Sequence, residues 1–315
     1  MKPKLLRGVV PPLVTPLLGR DALDVEGLQS LIEHVLRGGV NGVFLLGTTG
    51  EGLSLSHRLR REVIEIACRQ VGNRVPVVVA ITDTALPELL DLAHFAADNG
   101  AAGVVLAPPY YFSLAQAELI EWVDAILAEV RVPLVLYNMP TLTKTHFELE
   151  TVRRLTERPN IAGIKDSSGD MAYFHHLLRV ARPDWSVMMG SETLMAQAVL
   201  FGADGGVCGG ANLAPALFVE LFDASHSHDI ERMRALQTQV LELGERIYTL
   251  GNYDSSAIKG IKGALGCLGI GNGALAEPFR AFDQGRLTQL RAALLEMKLL
   301  PTPANGLPPL KWTIS

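Results

Sequence analysis

The chain has 315 residues, of which 48% are hydrophobic and 19% charged, and its net charge is −5. This apolar content is higher than that of disordered or disulfide-stapled chains, and it predicts a sizeable buried core. The mild negative charge, with no basic run longer than Arg60-Arg61, is not typical of a surface that binds nucleic acid or anionic lipid. We therefore expect neither a nucleic-acid partner nor a membrane partner.

The cysteines and the amino-terminal segment indicate the compartment in which the protein is expected to reside. Cys68, Cys208 and Cys267 are far apart and form neither a disulfide framework nor a zinc-binding spacing, which favours a reducing compartment. Residues 1–18 place basic residues before apolar ones, as a secretory signal does, but three prolines interrupt the apolar part. No stretch reaches the roughly 18 uninterrupted apolar residues that a membrane helix needs. The sequence therefore predicts a soluble, cytoplasmic protein.

Short apolar runs alternate along the chain with longer amphipathic segments, a pattern typical of βα units around a parallel sheet. The predicted strands are Gly8–Thr15, Gly42–Leu46, Val75–Ile81, Gly103–Ala107, Pro133–Asn138, Ile161–Asp166, Ser186–Gly190 and Gly205–Gly209. The predicted helices between them are Val25–Arg37, Ser56–Val71, Pro87–Asn99, Leu114–Glu129, Phe147–Glu157, Met171–Ala181 and Thr193–Phe201. Eight strands that alternate with helices predict an α/β protein with a closed (β/α)8 TIM barrel.

The strand pattern ends near residue 225. Three helices are predicted beyond it, over Asp229–Thr249, Ser255–Leu268 and Pro278–Glu296. We expect a catalytic barrel over residues 1–225, a C-terminal helical extension over residues 226–299 and a proline-rich tail over residues 300–315.

Candidate functional residues follow the predicted strands, because the active site of a parallel barrel lies at the carboxyl ends of its strands. Four strand ends carry side chains or turns suited to chemistry: Gly47–Glu51, Tyr137–Pro140, Lys165–Ser168 and Gly190–Glu192. The paired histidines show no ligand spacing for a metal, and the glycine-rich run near residue 208 lacks a phosphate-binding pattern. We expect no metal and no organic cofactor.

Lys165 is one of eight lysines, and it directly follows a strand predicted to be buried, whereas the other seven lie in the termini, a loop or amphipathic helices. Burial weakens the preference of a lysine for its charged form and favours the neutral amine, which attacks carbonyl carbons to form a Schiff base. The alternative is a buried ion pair with Asp166, but adjacent residues on a strand point to opposite faces. Its position therefore favours a nucleophile.

Two other strand ends leave alternatives open. Tyr137 is suited to relaying protons, or equally to packing at the barrel mouth with its hydroxyl bonded to backbone. The turn after the second strand presents N–H groups and the hydroxyls of Thr48 and Thr49, which suit a carboxylate, although such turns are common. Glu51 is more typical of a helix start or a buried structural acid than of a catalytic group.

Four segments together resemble, in order and spacing over about residues 5–295, the dihydrodipicolinate synthase / N-acetylneuraminate lyase family. They are Gly47–Glu51, Tyr137–Pro140, Gly163–Ser168 and Gly206–Asn212. The resemblance implies a (β/α)8 barrel with C-terminal helices, usually a homotetramer built as a dimer of dimers. It also implies class I aldolase-type chemistry on pyruvate or another small 2-oxo acid, with no cofactor.

Matching positions imply catalytic roles. Lys165 would form the imine with the 2-oxo carbon, and Tyr137 would transfer protons. Thr48 and Thr49 would hold the carboxylate of the 2-oxo acid and complete a proton relay. Tyr111 resembles the relay tyrosine that the family inserts into the neighbouring subunit's site.

The resemblance also implies substrate-binding positions. Tyr110 matches the second of the tyrosines that approach the neighbouring subunit. Val207 matches the apolar residue beside the imine, and the carbonyl of Gly190 should face the pocket. Ser167, Ser168, Ser191 and Glu192 match positions that grip polyhydroxylated chains in sugar-acid aldolases.

One residue distinguishes this sequence from the dihydrodipicolinate synthases within the family. The synthases carry an arginine that grips the carboxylate of their second substrate, and here the matching residue is Leu142, with Lys144 nearby. We therefore expect an aldolase or lyase for a 2-oxo-3-deoxy sugar acid or another 4-hydroxy-2-oxo acid. The alternatives are 4-hydroxy-tetrahydrodipicolinate synthase, a 2-oxo acid dehydratase or deaminase, and a non-catalytic 2-oxo acid-binding protein.

Overall fold

A parallel eight-stranded sheet forms the centre of the computed structural model, which describes residues 3–300. The strands of this sheet are β1 (Gly8–Val9), β4 (Val43–Leu45), β5 (Val77–Ala80), β6 (Gly103–Leu106), β7 (Leu134–Asn138), β8 (Ile161–Asp166), β9 (Ser186–Met189) and β10 (Gly205–Gly206). Their spatial order is β1-β10-β9-β8-β7-β6-β5-β4. A short antiparallel hairpin, β2 (Leu17–Gly19) and β3 (Ala22–Leu23), follows β1.

Backbone hydrogen bonds join the two ends of this sheet. The segment after β1 forms a parallel bridge between Pro12 and Phe44 of β4. The Phe44 N–H donates to the Pro11 carbonyl at 3.0 Å, and the Leu13 N–H donates to the Phe44 carbonyl at 2.9 Å. The sheet therefore closes into the predicted barrel.

Helices surround the barrel and continue beyond it. The helices within the barrel region are α1 (Val25–Arg37), α2 (His57–Val71), α3 (Leu86–Asp98), α4 (Gln116–Leu127), α5 (Pro140–Thr143), α6 (Leu149–Leu155), α7 (Met171–Val180), α8 (Met195–Leu200) and α9 (Pro215–His226). The later helices are α10 (Ile230–Leu243), which runs into a π-helical turn over Gly244–Tyr248, α11 (Ser256–Cys267) and α12 (Gln284–Glu296). No helix within residues 3–300 is long and apolar enough to cross a membrane.

Alternating side chains divide the apolar core into two layers. One face of each strand packs against the helices, as Leu136 and Ile164 do. The other face fills the barrel interior, where Phe44, Tyr137 and Met188 lie in one cluster. Because Lys165 follows Ile164, its side chain points to the interior side.

Every predicted barrel strand contains an observed one, and the seven predicted barrel helices and three later helices are present. The sequence patterns did not identify the β2–β3 hairpin, α5 or α9. The hairpin strands and α5 have two to four residues each, too few for a periodic pattern. The proposed division at residue 225 stays a prediction, and the tail beyond residue 300 lies outside the described residues.

A substitution at Gly163 tests how closely the backbones of β8 and β9 must pack. A Cβ atom at this position would lie 2.1 Å from the Ser186 carbonyl oxygen. We expect Gly163→Ala to lower the free energy of unfolding by about 1–3 kcal/mol, measured by urea denaturation. The Ser186 backbone cannot shift to make room for the Cβ without disturbing the sheet. Gly19→Ala is the control, since no atom of residues 3–300 lies within 4 Å of its added Cβ. Equal loss of stability in both variants would contradict this account.

Candidate active site

Lys165 lies at the carboxyl end of β8 and is enclosed by aromatic rings. Its Nζ is 3.9 Å from the ring centroid of Tyr137 and 5.0 Å from that of Phe44. The residue is only 6% exposed. Within residues 3–300 no carboxylate forms an ion pair with it, and the Asp166 carboxylate bonds instead to Asn138 and Ser168 on the opposite side of the strand. The aromatic faces attract the ammonium without forming a salt bridge with it.

Tyr137 lies beside Lys165 because β7 and β8 pair in register, with Tyr137 opposite Lys165. Its hydroxyl is 3.4 Å from Thr48 Oγ1. Burial by itself raises the pKa of the phenol. The positive charge of Lys165 and the hydrogen bonds of Thr48, Lys165 and Ser167 outweigh burial, so the pKa lies below its usual range. The two roles predicted for Tyr137, proton relay and packing at the barrel mouth, both stay predictions.

The turn after β4 places Thr48 at the mouth of the barrel. Only glycine fits at Gly47, where a Cβ would lie 2.7 Å from the Phe44 ring. Leu46 and Glu51 flank the turn with positive φ angles of 59° and 56°, a conformation that is costly for such residues and clusters at functional sites. The turn thus brings Thr48, which is exposed, to the Tyr137 hydroxyl while Thr49 is half-buried.

Three more predicted residues border the same space. The Ser167 N–H donates to the Asn138 carbonyl at 2.8 Å, which fixes the chain directly after Lys165. A Cβ at Gly190 would overlap Ser167 Oγ, so these residues are in close contact. Val207 is buried in the interior cluster together with Tyr137. Their predicted contacts with substrate stay predictions.

Glu192 has a structural contact of its own. Its Oε2 accepts a hydrogen bond from the Gly210 N–H at 2.8 Å. Burial raises the pKa of Glu192, although hydrogen bonds from Gly210, Tyr248 and Gly209 oppose the rise. Ser191 Oγ lies 3.2 Å from Thr193 Oγ1. Substrate contacts of Ser191 and Glu192 therefore stay predictions.

The structure does not bring Tyr111 to the lysine. Tyr111 is 77% exposed, and its ring contacts Phe112 edge-on with centroids 5.1 Å apart. Tyr110 is half-buried beside it. Leu142 lies in α5 after β7 and is 52% exposed. Within the described chain, Tyr111 forms no hydrogen bond with Thr48 or Tyr137, so its predicted role requires another subunit.

The sequence pattern did not indicate that a second lysine, Lys262, is buried. Lys262 belongs to α11, which we expected to be an amphipathic helix, yet its side chain is only 3% exposed. Its Nζ lies 2.6 Å from Glu51 Oε1, and Glu51 also accepts a hydrogen bond from the Ala276 N–H. Burial lowers the pKa of Lys262, and the charge and hydrogen bond of Glu51 oppose this. The glycines at 260 and 263 were the signal available, since they allow α11 to pack closely.

The arrangement can perform amine chemistry on a carbonyl compound. One end of the barrel holds a buried amine with no carboxylate partner among residues 3–300, a phenol with a lowered pKa and a turn that bears hydroxyls. No group of three or more histidine, cysteine, aspartate or glutamate side chains suited to a metal occurs between residues 3 and 300.

Comparisons with known proteins agree with the architecture and the motifs. The family model described as the dihydrodipicolinate synthetase family matches residues 5–297. A 4-hydroxy-tetrahydrodipicolinate synthase of Methanopyrus kandleri is 32% identical over 94% of this chain and 98% of its own. The YagE protein of Escherichia coli K12, provisionally named a 2-dehydro-3-deoxy-D-gluconate aldolase, is 30% identical over 94% of this chain and 98% of its own.

A solved structure shows the same fold. Dihydrodipicolinate synthase from Bacteroides thetaiotaomicron superimposes with a TM-score of 0.91 and 48% sequence identity, over 93% of this chain and 99% of its own. The structure of YagE in complex with pyruvate gives a TM-score of 0.87, over 94% of this chain and 100% of its own.

The Glu51–Lys262 pair predicts a large stability effect. Glu51→Gln leaves the Lys262 ammonium buried without its counter-charge, so we expect a loss of about 3–5 kcal/mol in urea denaturation. Glu277→Gln is the control, because it breaks the exposed pair with Arg20, and we expect no measurable change. A Glu51→Gln variant as stable as wild type would show that this pair does not anchor α11 to the barrel.

Proposed function

The chain belongs to the dihydrodipicolinate synthetase family, and we propose that it is a lyase whose Lys165 forms a Schiff base with a 2-oxo acid. The single observation that carries the proposal is the environment of the Lys165 amine. It is buried, it lies 3.9 Å from the Tyr137 ring centroid, and within residues 3–300 it has no carboxylate partner. A lysine in this setting is suited to act as a nucleophile rather than as a structural cation.

The proposed reaction begins at the 2-oxo carbon. The neutral amine of Lys165 attacks this carbon, the carbonyl oxygen leaves as water after taking up one proton from the amine and one from solvent, and a protonated imine forms. The imine withdraws the electron pair of the C3–C4 bond, which breaks to give an enamine and an aldehyde. Protonation of the enamine at C3 and addition of water then release pyruvate and restore the amine, so the water lost at the start is returned.

Tyr137 carries the protons in this scheme. Its phenolate, favoured by the lowered pKa, takes the proton from the hydroxyl on C4 as the bond breaks. The phenol then returns a proton to C3 of the enamine. Thr48, 3.4 Å away, extends the relay towards the mouth of the barrel. The turn of Thr48 and Thr49 binds the substrate carboxylate, which fixes the face that reacts.

Leu142 supports a sugar-acid substrate. It occupies the position where the resemblance places an arginine in the synthases, and an exposed leucine offers no bidentate partner to a second carboxylate. The hydroxyls of Ser167 and Ser191 suit a polyhydroxylated chain. We therefore propose cleavage or formation of a 2-oxo-3-deoxy sugar acid or a related 4-hydroxy-2-oxo acid.

A second candidate function is 4-hydroxy-tetrahydrodipicolinate synthase. The observation that favours it is the 48% identity to the Bacteroides thetaiotaomicron protein described as dihydrodipicolinate synthase. Both candidates share the imine at Lys165 and the relay through Tyr137. They differ in the aldehyde that reacts with the enamine. In an aldolase it is derived from a sugar, and in the synthase it is aspartate semialdehyde, which carries a carboxylate.

We also propose a homo-oligomer, built as a dimer of dimers. Tyr111 and Phe112 adjoin each other and are each more than 75% exposed, which supports a contact with another subunit, since an exposed apolar patch marks an interaction site. In this assembly Tyr111 joins the relay of the neighbouring site.

Deuterium exchange into the methyl group of pyruvate tests the proposed function without a second substrate. Wild type should exchange the methyl protons in D2O, because imine formation lets them leave, and Lys165→Ala should not. Lys259→Ala is the control, since Lys259 lies over the Tyr253 ring and is expected to behave as wild type. Wild-type protein that neither exchanges pyruvate protons nor is trapped by borohydride would refute the Schiff-base function.

Replacement of Tyr137 should separate imine formation from proton transfer. We expect Tyr137→Phe to reduce pyruvate exchange by about 10²- to 10⁴-fold, as for loss of a general acid–base group. Borohydride trapping of pyruvate should continue, because Lys165 keeps its amine. Exchange at the wild-type rate would exclude Tyr137 as the proton carrier.

Leu142→Arg distinguishes the two substrate classes. We expect wild type to release pyruvate from 2-oxo-3-deoxy sugar acids and to condense pyruvate with aspartate semialdehyde poorly. The added guanidinium should raise the condensation rate by about tenfold or more, because it pairs with the semialdehyde carboxylate. Efficient condensation by wild type would favour the synthase instead.

A further inference from the structure

A buried polar network lies on the outer side of the two strands that carry Tyr137 and Lys165. Asn138 and Asp166 directly follow those residues and are also opposite each other in the strand register. The Asn138 side-chain amide donates to Asp166 Oδ1 at 2.7 Å. Asn138 is fully buried and Asp166 nearly so. The two strands are therefore joined by side chains at the point where the reactive residues leave the sheet.

All polar atoms of the Asn138 side chain are engaged. Its Oδ1 accepts a hydrogen bond from the Phe147 N–H at 3.1 Å, and its Nδ2 also lies 3.2 Å from His146 Nδ1. These contacts fix the orientation of the amide, so that Nδ2 faces Asp166. The asparagine thereby ties the end of β7 to the chain that leads into α6.

Asp166 ties the other strand end in the same way. Its Oδ2 accepts from Ser168 Oγ at 2.9 Å, and its backbone carbonyl accepts from the Gly190 N–H at 2.6 Å. The side chain thus links β8 to the loop that holds Ser167, and the backbone links it to the end of β9. No lysine or arginine pairs with Asp166 in the part of the chain that the structure describes.

We propose that Asn138 and Asp166 form a positioning pair that fixes the register and side-chain direction of Tyr137 relative to Lys165. Each member lies one residue beyond a reactive residue and points to the opposite face. A rotation or shift of either strand end is therefore transmitted to the phenol or the amine. A displacement of about 1 Å between reacting groups can cost on the order of 10²-fold in rate. This inference rests on the proposed function of Lys165 and Tyr137.

A reciprocal exchange of the two side chains tests the pair. Asn138→Asp sets two carboxylates against each other, and Asp166→Asn removes the carboxylate that accepts the hydrogen bond of the amide. The double substitution restores one amide facing one carboxylate. Ser225→Ala is the control, because it also removes a buried hydrogen bond, the one from the Ser225 hydroxyl to the Leu221 carbonyl, but within α9 rather than at the two strand ends.

Three readouts separate positioning from general stability: the melting temperature, borohydride trapping of pyruvate, and deuterium exchange into pyruvate with kcat and KM resolved. We expect each single variant to lose about 10- to 100-fold in kcat for exchange. Trapping should persist and KM should change little, because the amine and the carboxylate turn are intact. The double variant should recover at least part of kcat, and Ser225→Ala should exchange as wild type does.

The inference fails if Asp166→Asn, with wild-type melting and trapping, exchanges pyruvate protons at the wild-type rate. It also fails if the double variant is as stable as wild type but no faster than the single variants. If Asn138→Asp does not fold, the exchange rates of Asp166→Asn and of the double variant still test the positioning pair. Failure of the wild-type protein to trap pyruvate would instead refute the proposed function, so the two failures are distinguishable.

Discussion

The in-register pairing of β7 with β8 is the constraint on which the site depends. It sets Tyr137 opposite Lys165 on the inner face of the barrel and Asn138 opposite Asp166 on the outer face. One face thereby obtains an amine and a phenol in an aromatic environment, while the carboxylate lies on the other. Because neighbouring strand residues alternate in direction, a single register produces both the reactive pair and the polar pair behind it.

The two buried lysines show how the same side chain serves different purposes. Lys262 has a carboxylate within 2.6 Å, whereas Lys165 has aromatic faces and a hydroxyl nearby. Glu51, the partner of Lys262, ends the same turn that carries Thr48. The ion pair therefore anchors the C-terminal helices to the turn that borders the site, while Lys165 pairs with no carboxylate in the described part of the chain.

Much of this arrangement follows from the sequence. Alternation of apolar runs and amphipathic segments predicted the barrel, because both patterns are local. The position of Lys165 after a buried strand predicted its enclosure, and alternation predicted that Asp166 would point away. The burial of Lys262 could not be predicted, since it depends on contact between α11 and a turn more than 200 residues earlier. The partners of Asn138 likewise depend on strand register, which no local pattern specifies.

The central claim is that the nucleophile is Lys165, which is buried and has no carboxylate partner among residues 3–300, rather than the buried and paired Lys262. Peptide mapping of the wild-type protein after reduction with borohydride in the presence of pyruvate tests this claim most directly. The account predicts one modified site, on the peptide that contains Lys165, and an unmodified Lys262 peptide. A label on Lys262, or a label distributed over the exposed lysines with Lys165 unmodified, would contradict it.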